Sequence, residues 1–202
     1  MELDLSRLDY KFSPRRGFSI NFQAIVGQRR VIEDAALAEF VDRNTTFAAK
    51  FDSLEKRTPR LEFRLKSSVF LPVAQRGTVG LILNAGHKES SAELVRNELF
   101  QIGGNKLLRG FDEASIFTPT YSILSLEYRL ALGKNSYFQM PFIDAGFVSL
   151  DGELEFVSGL GGGLVIETKV GLFNFSVAAG KSPDEAFDFS RPKAHFGYIS
   201  LF

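Results

Sequence analysis

The chain has 202 residues, in which 24 lysines and arginines balance 24 aspartates and glutamates, and it contains no cysteine. The chain therefore carries no net charge that would favour a nucleic-acid or polyanionic partner. The missing cysteines exclude disulfides, thiolate metal sites and cysteine nucleophiles, and the two histidines, His87 and His195, are too far apart to suggest a zinc site. The 21 phenylalanines and 18 glycines suit an all-β protein.

No apolar run reaches the roughly 20 residues that a transmembrane helix requires. The N-terminal stretch "MELDLSRLDYKF" is charged and alternating, and it lacks the apolar core of a secretory signal. Taken alone, these features predict a cytoplasmic protein. If the chain is instead the rear part of a longer protein, the missing signal has a simple explanation.

Alternation of apolar and polar residues is the dominant pattern, and it predicts strands, because successive side chains of a strand point to opposite faces. Nine strands are expected, with ends uncertain by about 2–4 residues: 3–13, 17–27, 57–71, 77–87, 121–132, 136–149, 155–169, 171–180 and 193–202. The stretch "VIEDAALAEFVDR" carries a weak helical pattern through Ile32, Ala36 and Phe40.

The predicted connections alternate in length. "SPRRG", "PVAQRG", "ALGKNS" and "TKVG" are short, whereas 28–56, 88–120 and 181–192 are long, and only 149–155 breaks the alternation. Short turns at one end and long loops at the other are typical of a transmembrane β-barrel of the bacterial outer membrane. The sequence therefore predicts an antiparallel transmembrane β-barrel.

The two faces of each strand leave a second interpretation open. On the strand at 121–132, Leu124 and Leu126 oppose Glu127 and Arg129. A charged face suits the lumen of a membrane barrel, and it equally suits the solvated face of a soluble sandwich or lipocalin-like barrel. In the membrane barrel the apolar residues of the last two strands point to lipid; these are Phe173, Phe175, Phe196 and Tyr198.

Two motifs stand in the second half of the chain. "LRGF", formed by Leu108, Arg109, Gly110 and Phe111, lies in the 88–120 connection, and "FIDAG" at 142–146 lies two strands later. The stretch "ELFQIGGNKLLRGFDE" resembles the characteristic loop of the bacterial surface antigen superfamily. That family includes BamA- and TamA-like assembly barrels, two-partner secretion transporters and the chloroplast import channel.

Three features carry this resemblance together. Five predicted strands follow the arginine motif, as in that family. Its Phe-x-Asp-x-Gly stretch is matched in the second of these strands by Phe142, Asp144 and Gly146. The last strand also ends on an aromatic residue, Phe202. "LRGFDE" and the C-terminal stretch "FDFSRPKAHFGYISLF" resemble the BamA/TamA-like proteins most.

The resemblance implies a 16-strand barrel behind periplasmic POTRA domains. The chain, 1–202, would then be about nine C-terminal strands of that barrel, with the POTRA domains and first strands absent. Nine strands alone leave edge N–H and C=O groups unpaired in lipid. We therefore expect the chain to be a fragment, to be completed by something else, or to adopt a compromise fold.

The resemblance also implies a function in the bacterial outer membrane. The protein would assist insertion of outer-membrane proteins or translocation of polypeptide. Its expected partners are outer-membrane lipids including lipopolysaccharide, client outer-membrane proteins and accessory lipoproteins, with no nucleic acid. The alternatives are a passive surface barrel, in some family members fused to a patatin-like lipase upstream, and a soluble lipocalin-like barrel that binds a small apolar ligand.

The resemblance further implies roles for individual residues. The 88–120 loop would fold back into the barrel, where Arg109 meets Glu127 and Asp144. Arginine suits this task because its planar fork can bond two carboxylates and it stays charged when buried. We expect Gly110 to give the turn, Phe111 to fill apolar space, and Gly146 to leave room for the loop. Phe196, Tyr198 and Phe202 would form a C-terminal assembly signal.

Other candidate sites are weaker. "GLGGG" lacks the Lys-Ser/Thr and the helix of a phosphate loop, so its glycines are expected to mark a bend or a thin wall. Asp184, Glu185 and Asp188 are interpreted as a solvated loop rather than a cation site. The serines have no His/Asp partners at the spacing of a nucleophilic triad. We expect no enzyme, no metal and no cofactor.

Overall fold

A computed structural model describes residues 1–11, 13–30, 57–133, 136–183 and 185–200. These residues are mostly β-structure, with one short 3-10 turn at Arg96–Glu98. No helix in these ranges is long and apolar enough to cross a membrane. The strands are β1 (Glu2–Leu8), β2 (Gly17–Arg30), β3 (Arg57–Pro72), β4 (Gly77–Ser90), β5 (Phe100–Ile102), β6 (Ile116–Thr118), β7 (Thr120–Ala131), β8 (Tyr137–Leu150), β9 (Glu153–Glu167), β10 (Gly171–Lys181) and β11 (Lys193–Ser200).

Nine of these strands form one sheet in the order β1-β2-β3-β4-β7-β8-β9-β10-β11. Every neighbouring pair is antiparallel, so the chain runs up and down through the sheet. The nine predicted strands are confirmed, with shifted ends. β5 and β6 pair separately inside the connection between β4 and β7. This hairpin was not predicted, because three residues are too few to show alternation. The helical pattern at 32–40 lies outside the described residues.

The connection between β4 and β7, residues 91–119, is called the long loop below. It covers one face of the sheet, which is called the inner face. Leu108 and Ile102 of the loop are 0% and 1% exposed, and they pack in one cluster with Ile123 of β7 and Val148 of β8. Each fully buried aliphatic side chain stabilises the fold by about 1.5–3 kcal/mol. The sequence predicted a lumen of charges and glycines, so this apolar part of the inner face is an addition to that prediction.

The outer face carries the apolar side chains that the alternation predicted. On β7, Leu124 and Leu126 are 43% and 46% exposed, whereas Glu127 is 2% exposed. On β10, Phe175 is 49% exposed and its neighbour Ser176 is 1% exposed. A lipocalin-like barrel would turn its apolar faces inward to line a ligand cavity. The arrangement is therefore that of a membrane barrel wall, and the soluble alternative is not supported.

The sheet curls around its inner face. Tyr10, two residues beyond β1, donates a hydrogen bond to Glu167 at the end of β9, with 2.9 Å between Oη and Oε1. In the sheet order β9 is six strand spacings from β1, which is about 29 Å in a flat sheet at ~4.8 Å per strand. Such a contact requires strong curvature. Beyond β1, Tyr10 and Pro14 contact the inner face, so β1 ends at Leu8 rather than at residue 13.

The curled sheet has two edges. Within the described residues β1 pairs with β2 alone, and β11 pairs with β10 alone. β11 has eight residues, whereas β2 and β3 have 14 and 16. β11 is paired with β10 at eight positions and β1 with β2 at seven, whereas β2 is paired with β3 at 14. Fewer ladder hydrogen bonds therefore hold each edge strand to its neighbour than hold β2 to β3.

The exposed outer face predicts a penalty for charge. Replacing Phe175 by lysine should lower the free energy of unfolding by about 2–4 kcal/mol in lipid vesicles, because a charge near the bilayer midplane loses its hydration. The matched control is Phe189→Lys, since Phe189 is 64% exposed in the connection between β10 and β11. Urea titration of both variants measures the effect. Equal stability of the two variants would show that the outer face does not meet lipid.

Candidate functional site

Arg109 lies at the inward tip of the long loop and binds Asp144 on β8 with three donors. Its backbone N–H and its Nε donate to Oδ2 at 2.9 Å and 2.8 Å, and its Nη2 donates to Oδ1 at 2.6 Å. Nη1 also lies 3.4 Å from Oε2 of Glu127 on β7. The two-pronged contact with Asp144 uses the planar geometry of the guanidinium. The structure thus brings together the three residues that the sequence singled out, and we call this set the loop lock.

The loop lock is buried. Asp144 is 0% exposed, Glu127 is 2% and Arg109 is 7%. The Arg109 guanidinium carbon also lies 3.6 Å from the ring centre of Phe142, so the cation makes a cation–π contact with this ring. Burial alone would lower the pKa of Arg109, but hydrogen bonds and charge attraction from Asp144 and Glu127 outweigh it and raise the pKa above its ordinary value. The arginine therefore stays charged.

Two further residues bind Glu127, and the charged one, Arg129, completes the charge balance. Arg129 of β7 donates to Glu127 Oε1 through Nε at 2.6 Å, and Gln139 of β8 donates to Oε2 of the same carboxylate. The buried group then holds two arginines against two carboxylates. Buried charges are tolerated when they are paired in this way. Removing one partner leaves the other charge buried without compensation for its desolvation.

Arg129 also reaches the opposite end of the inner face. Its Nη1 donates to the backbone oxygen of Pro14 at 3.3 Å, in the turn between β1 and β2. Its guanidinium lies 4.5 Å from the ring centre of Phe70 and 4.6 Å from that of Tyr137. The charged network therefore joins the long loop, which enters from one end of the sheet, to a short turn that enters from the other. The alternation of the sequence predicts Arg129 on the polar face of its strand, but it does not predict this contact.

Glycines let the loop tip approach the wall. A Cβ on Gly159 of β9 would lie 1.8 Å from the carbonyl oxygen of Arg109, and one on Gly180 of β10 would lie 2.5 Å from that of Gly110. Gly110 itself has φ 94°, a backbone conformation that residue types other than glycine rarely adopt. Asp144 and Gly180 are both register partners of Gly159, so they form one row across β8, β9 and β10.

This glycine row was missed in the sequence analysis, which expected Gly146 to make room for the loop. A Cβ on Gly146 would instead lie 1.9 Å from the carbonyl oxygen of Ser122 on β7. Gly146 therefore permits close strand approach, and Gly159 permits loop approach. Gly159 is the first glycine of "GLGGG", so a glycine-rich stretch paired with the strand of the aspartate was the available signal.

The predicted C-terminal residues lie apart from the loop lock. Phe196 and Tyr198 are 68% and 47% exposed on the outer face of β11. Tyr198 donates to the backbone oxygen of Val170 at 2.7 Å, and its ring centre lies 5.0 Å from that of Phe173. This places an aromatic cluster at the turn end of the sheet. Phe202 lies outside the described residues, so its assembly role stays a prediction.

The acidic loop between β10 and β11 is held by its own side chains. Asp188 accepts hydrogen bonds from Ser190 and Arg191, which lower its pKa to about 2. Its carboxylate is thus already bonded to loop residues. Asp184 lies outside the described residues. Among the described residues, no three acidic, histidine or cysteine side chains form a metal-binding group.

A comparison with family models bears on this arrangement of loop, row and wall. The model of the Omp85 superfamily domain matches residues 2–191. The chain belongs to the Omp85 superfamily. A comparison with curated proteins found no match. The match agrees with the family resemblance stated from the two motifs. Omp85 proteins are outer-membrane β-barrel proteins of bacteria and organelles that act in assembly and translocation and are not enzymes.

The charge balance of the loop lock predicts strongly coupled mutations. Arg109→Ala should destabilise the described fold by about 3–5 kcal/mol, because Asp144 is left buried and unpaired. Asp144→Asn should have a similar effect, and the double variant should be little worse than either. Arg109→Lys should rescue only partly, since an ammonium cannot fork across two carboxylates. Urea unfolding in lipid vesicles measures all four variants.

The control is the exposed ion pair Arg191–Asp188, whose Nε and Oδ2 lie 2.7 Å apart. Alanine at Arg191 should change stability little, because exposed pairs contribute little. Additive effects of the Arg109 and Asp144 variants would contradict the loop lock.

The glycine row predicts a second, purely steric result. Gly159→Ala should displace the loop tip, because the new Cβ would overlap the Arg109 carbonyl. Trypsin should then cleave after Arg109 in the variant and spare this bond in the wild type. Gly27→Ala on β2 is the matched control, since nothing lies within 4 Å of its added Cβ. Resistance of the Gly159 variant to cleavage would show that the tip does not rest on β9.

Proposed function

We propose that this chain is the C-terminal part of an outer-membrane assembly barrel that helps client β-barrel proteins insert, in the manner of BamA- and TamA-like members of its superfamily. The single observation that carries the proposal is the buried loop lock of Arg109 with Asp144 and Glu127, which holds the long loop against the wall next to the short edge strand β11. Membership of the Omp85 superfamily supports the general activity.

The proposed placement in a longer protein rests on the position of the long loop. Five strands of the main sheet, β7 to β11, follow it. We propose that the strands preceding β1, together with POTRA domains, lie upstream and complete a 16-strand barrel. The unpaired edge of β1 supports this, since an open edge in lipid leaves N–H and C=O groups without partners. Outer-membrane lipids, clients and accessory lipoproteins are the proposed partners.

The mechanism requires a barrel wall in which some strands are held firmly in place and one edge strand is held by fewer contacts. The loop lock and the row at Asp144, Gly159 and Gly180 brace β8, β9 and β10 from the inside. Within the described residues β11 is paired in the sheet with β10 alone and contacts the long loop through His195 and Lys193. Gly197 within β11 contributes no side chain to packing. We propose that the seam, the edge at which β11 meets the first strand of the complete barrel, opens to receive client strands. Strands β8, β9 and β10 stay paired while it opens. No covalent chemistry is involved.

Polypeptide translocation is the second candidate, and one observation bears on it. The long loop fills the inner face, with Leu108 and Ile102 fully buried against the wall. A polypeptide passing through the barrel would have to displace this loop and break the loop lock. Insertion at the seam leaves both in place, which is why we favour insertion.

Reconstitution of the full-length protein into liposomes tests the proposal. Insertion of a radiolabelled barrel client should proceed several-fold faster than in protein-free liposomes. Arg109→Ala should lose most of this acceleration, because the wall beside the seam loses its brace. Arg191→Ala, in the exposed loop, should keep it. Absence of any acceleration by the wild type would exclude the insertase activity. Acceleration that survives in Arg109→Ala would separate the activity from the loop lock.

A further inference from the structure

The tip of the long loop is bonded to the edge strand as well as to β8. The backbone N–H of Gly110 donates to Nε2 of His195 on β11, with 3.1 Å between the two nitrogens. His195 is 8% exposed and lies on the inner face of its strand. Arg109 and Gly110 are adjacent residues. One short piece of loop therefore binds the braced wall through Arg109 and the edge strand through Gly110.

We propose that His195 is a positioning residue that fastens the loop tip to β11, and that protonation of its imidazole releases this fastening. The proposal goes beyond the assembly function, because it concerns how the edge strand is held and not which client it receives.

Neighbouring contacts show that the loop lies along the inner face of β11 over several residues. A Cβ on Gly197 would lie 2.6 Å from Nδ2 of Asn105, and Asn105 Oδ1 accepts a hydrogen bond from Ser176 of β10 at 3.2 Å. Nζ of Lys193 lies 2.9 Å from Oδ2 of Asp112, in an exposed ion pair that contributes little to stability by itself. On β11, His195 lies between Lys193 and Gly197 and is the most buried of the three.

The chemistry of the hydrogen bond fixes the protonation state. A backbone N–H can only donate, so Nε2 must carry a lone pair and the ring proton must sit on Nδ1. A doubly protonated imidazole has no acceptor to offer Gly110, and it would place a second positive charge near Arg109. The fastening is therefore present when His195 is neutral and is lost as the pH falls through the range in which histidine titrates.

Several charged groups surround His195 and enter the same equilibrium. Burial, first, and Arg109 oppose a charge on the imidazole, whereas Glu113 and Asp112 of the loop and Asp144 of β8 favour it. Lys193 lies on the same strand. A test must therefore separate the histidine from these three carboxylates.

Spin-label distances in the full-length protein in lipid provide this test, because the described chain has no cysteine of its own. Labels at Ser115→Cys on the loop and Ala194→Cys on β11 report their separation. Wild type should give a single narrow distance distribution at pH 8 and a second, broad component at pH 5. As the pH falls, the ratio of the broad component to the narrow component should rise by at most about tenfold per pH unit, because one proton is bound.

Two variants decide between causes. His195→Gln keeps an acceptor oxygen near the Nε2 position and cannot titrate, so it should stay narrow at both pH values. His195→Leu lacks an acceptor and should be broad at both. A label pair at Leu124→Cys on β7 and Phe156→Cys on β9 should not change in any sample, which shows that the sheet remains folded.

Two results would overturn the proposal. Persistence of the acid-induced broad component in His195→Gln would assign the effect to the carboxylates. A narrow distribution in His195→Leu at pH 8 would show that the histidine does not hold the loop. Neither result depends on client insertion, so failure of this proposal is distinguishable from failure of the proposed function.

Discussion

Burial of Arg109 between two carboxylates is the constraint on which the rest of the site depends. A lone guanidinium on the inner face would carry a large desolvation cost, and so would a lone Asp144. Together with Glu127 and Arg129 they are neutral as a group, and each has its hydrogen-bond partners. Such a group need not add much net stability over an apolar packing. Its effect is on specificity, because any position of the long loop that left one of these charges buried and unpaired would carry the cost of its desolvation.

From this fixed point the contacts extend in two directions. Towards the loop end, Leu108 precedes the arginine directly and is fully buried in the apolar cluster beneath the long loop. Towards the turn end, Glu127 and Arg129 carry the network to Pro14. The inner face is thus occupied from both ends of the curled sheet. Among the residues that the structure describes, none covers the outer face in this way, and its exposed apolar side chains are those expected of a wall that meets lipid.

The fold and the pairing of the loop lock were largely accessible from the sequence, for a physical reason. A side-chain period of two survives in any strand that separates unlike environments, so nine strands and the inward parity of Glu127 could be predicted. The partners of Arg109 came from the family resemblance of "LRGF" and "FIDAG". The roles of Gly159 and His195 were not accessible in this way. They depend on which strands lie beside the loop tip, and that follows from register, which a single sequence does not specify.

Backbone amide hydrogen exchange across residues 103–112, measured in the full-length protein in lipid at neutral pH, tests the central claim most directly. If the loop is held on the inner face by the buried charges, the amide of Arg109, which donates to Asp144, should exchange as slowly as amides within β8. Exchange of this amide at the rate of an exposed loop, with β8 still protected, would contradict the account.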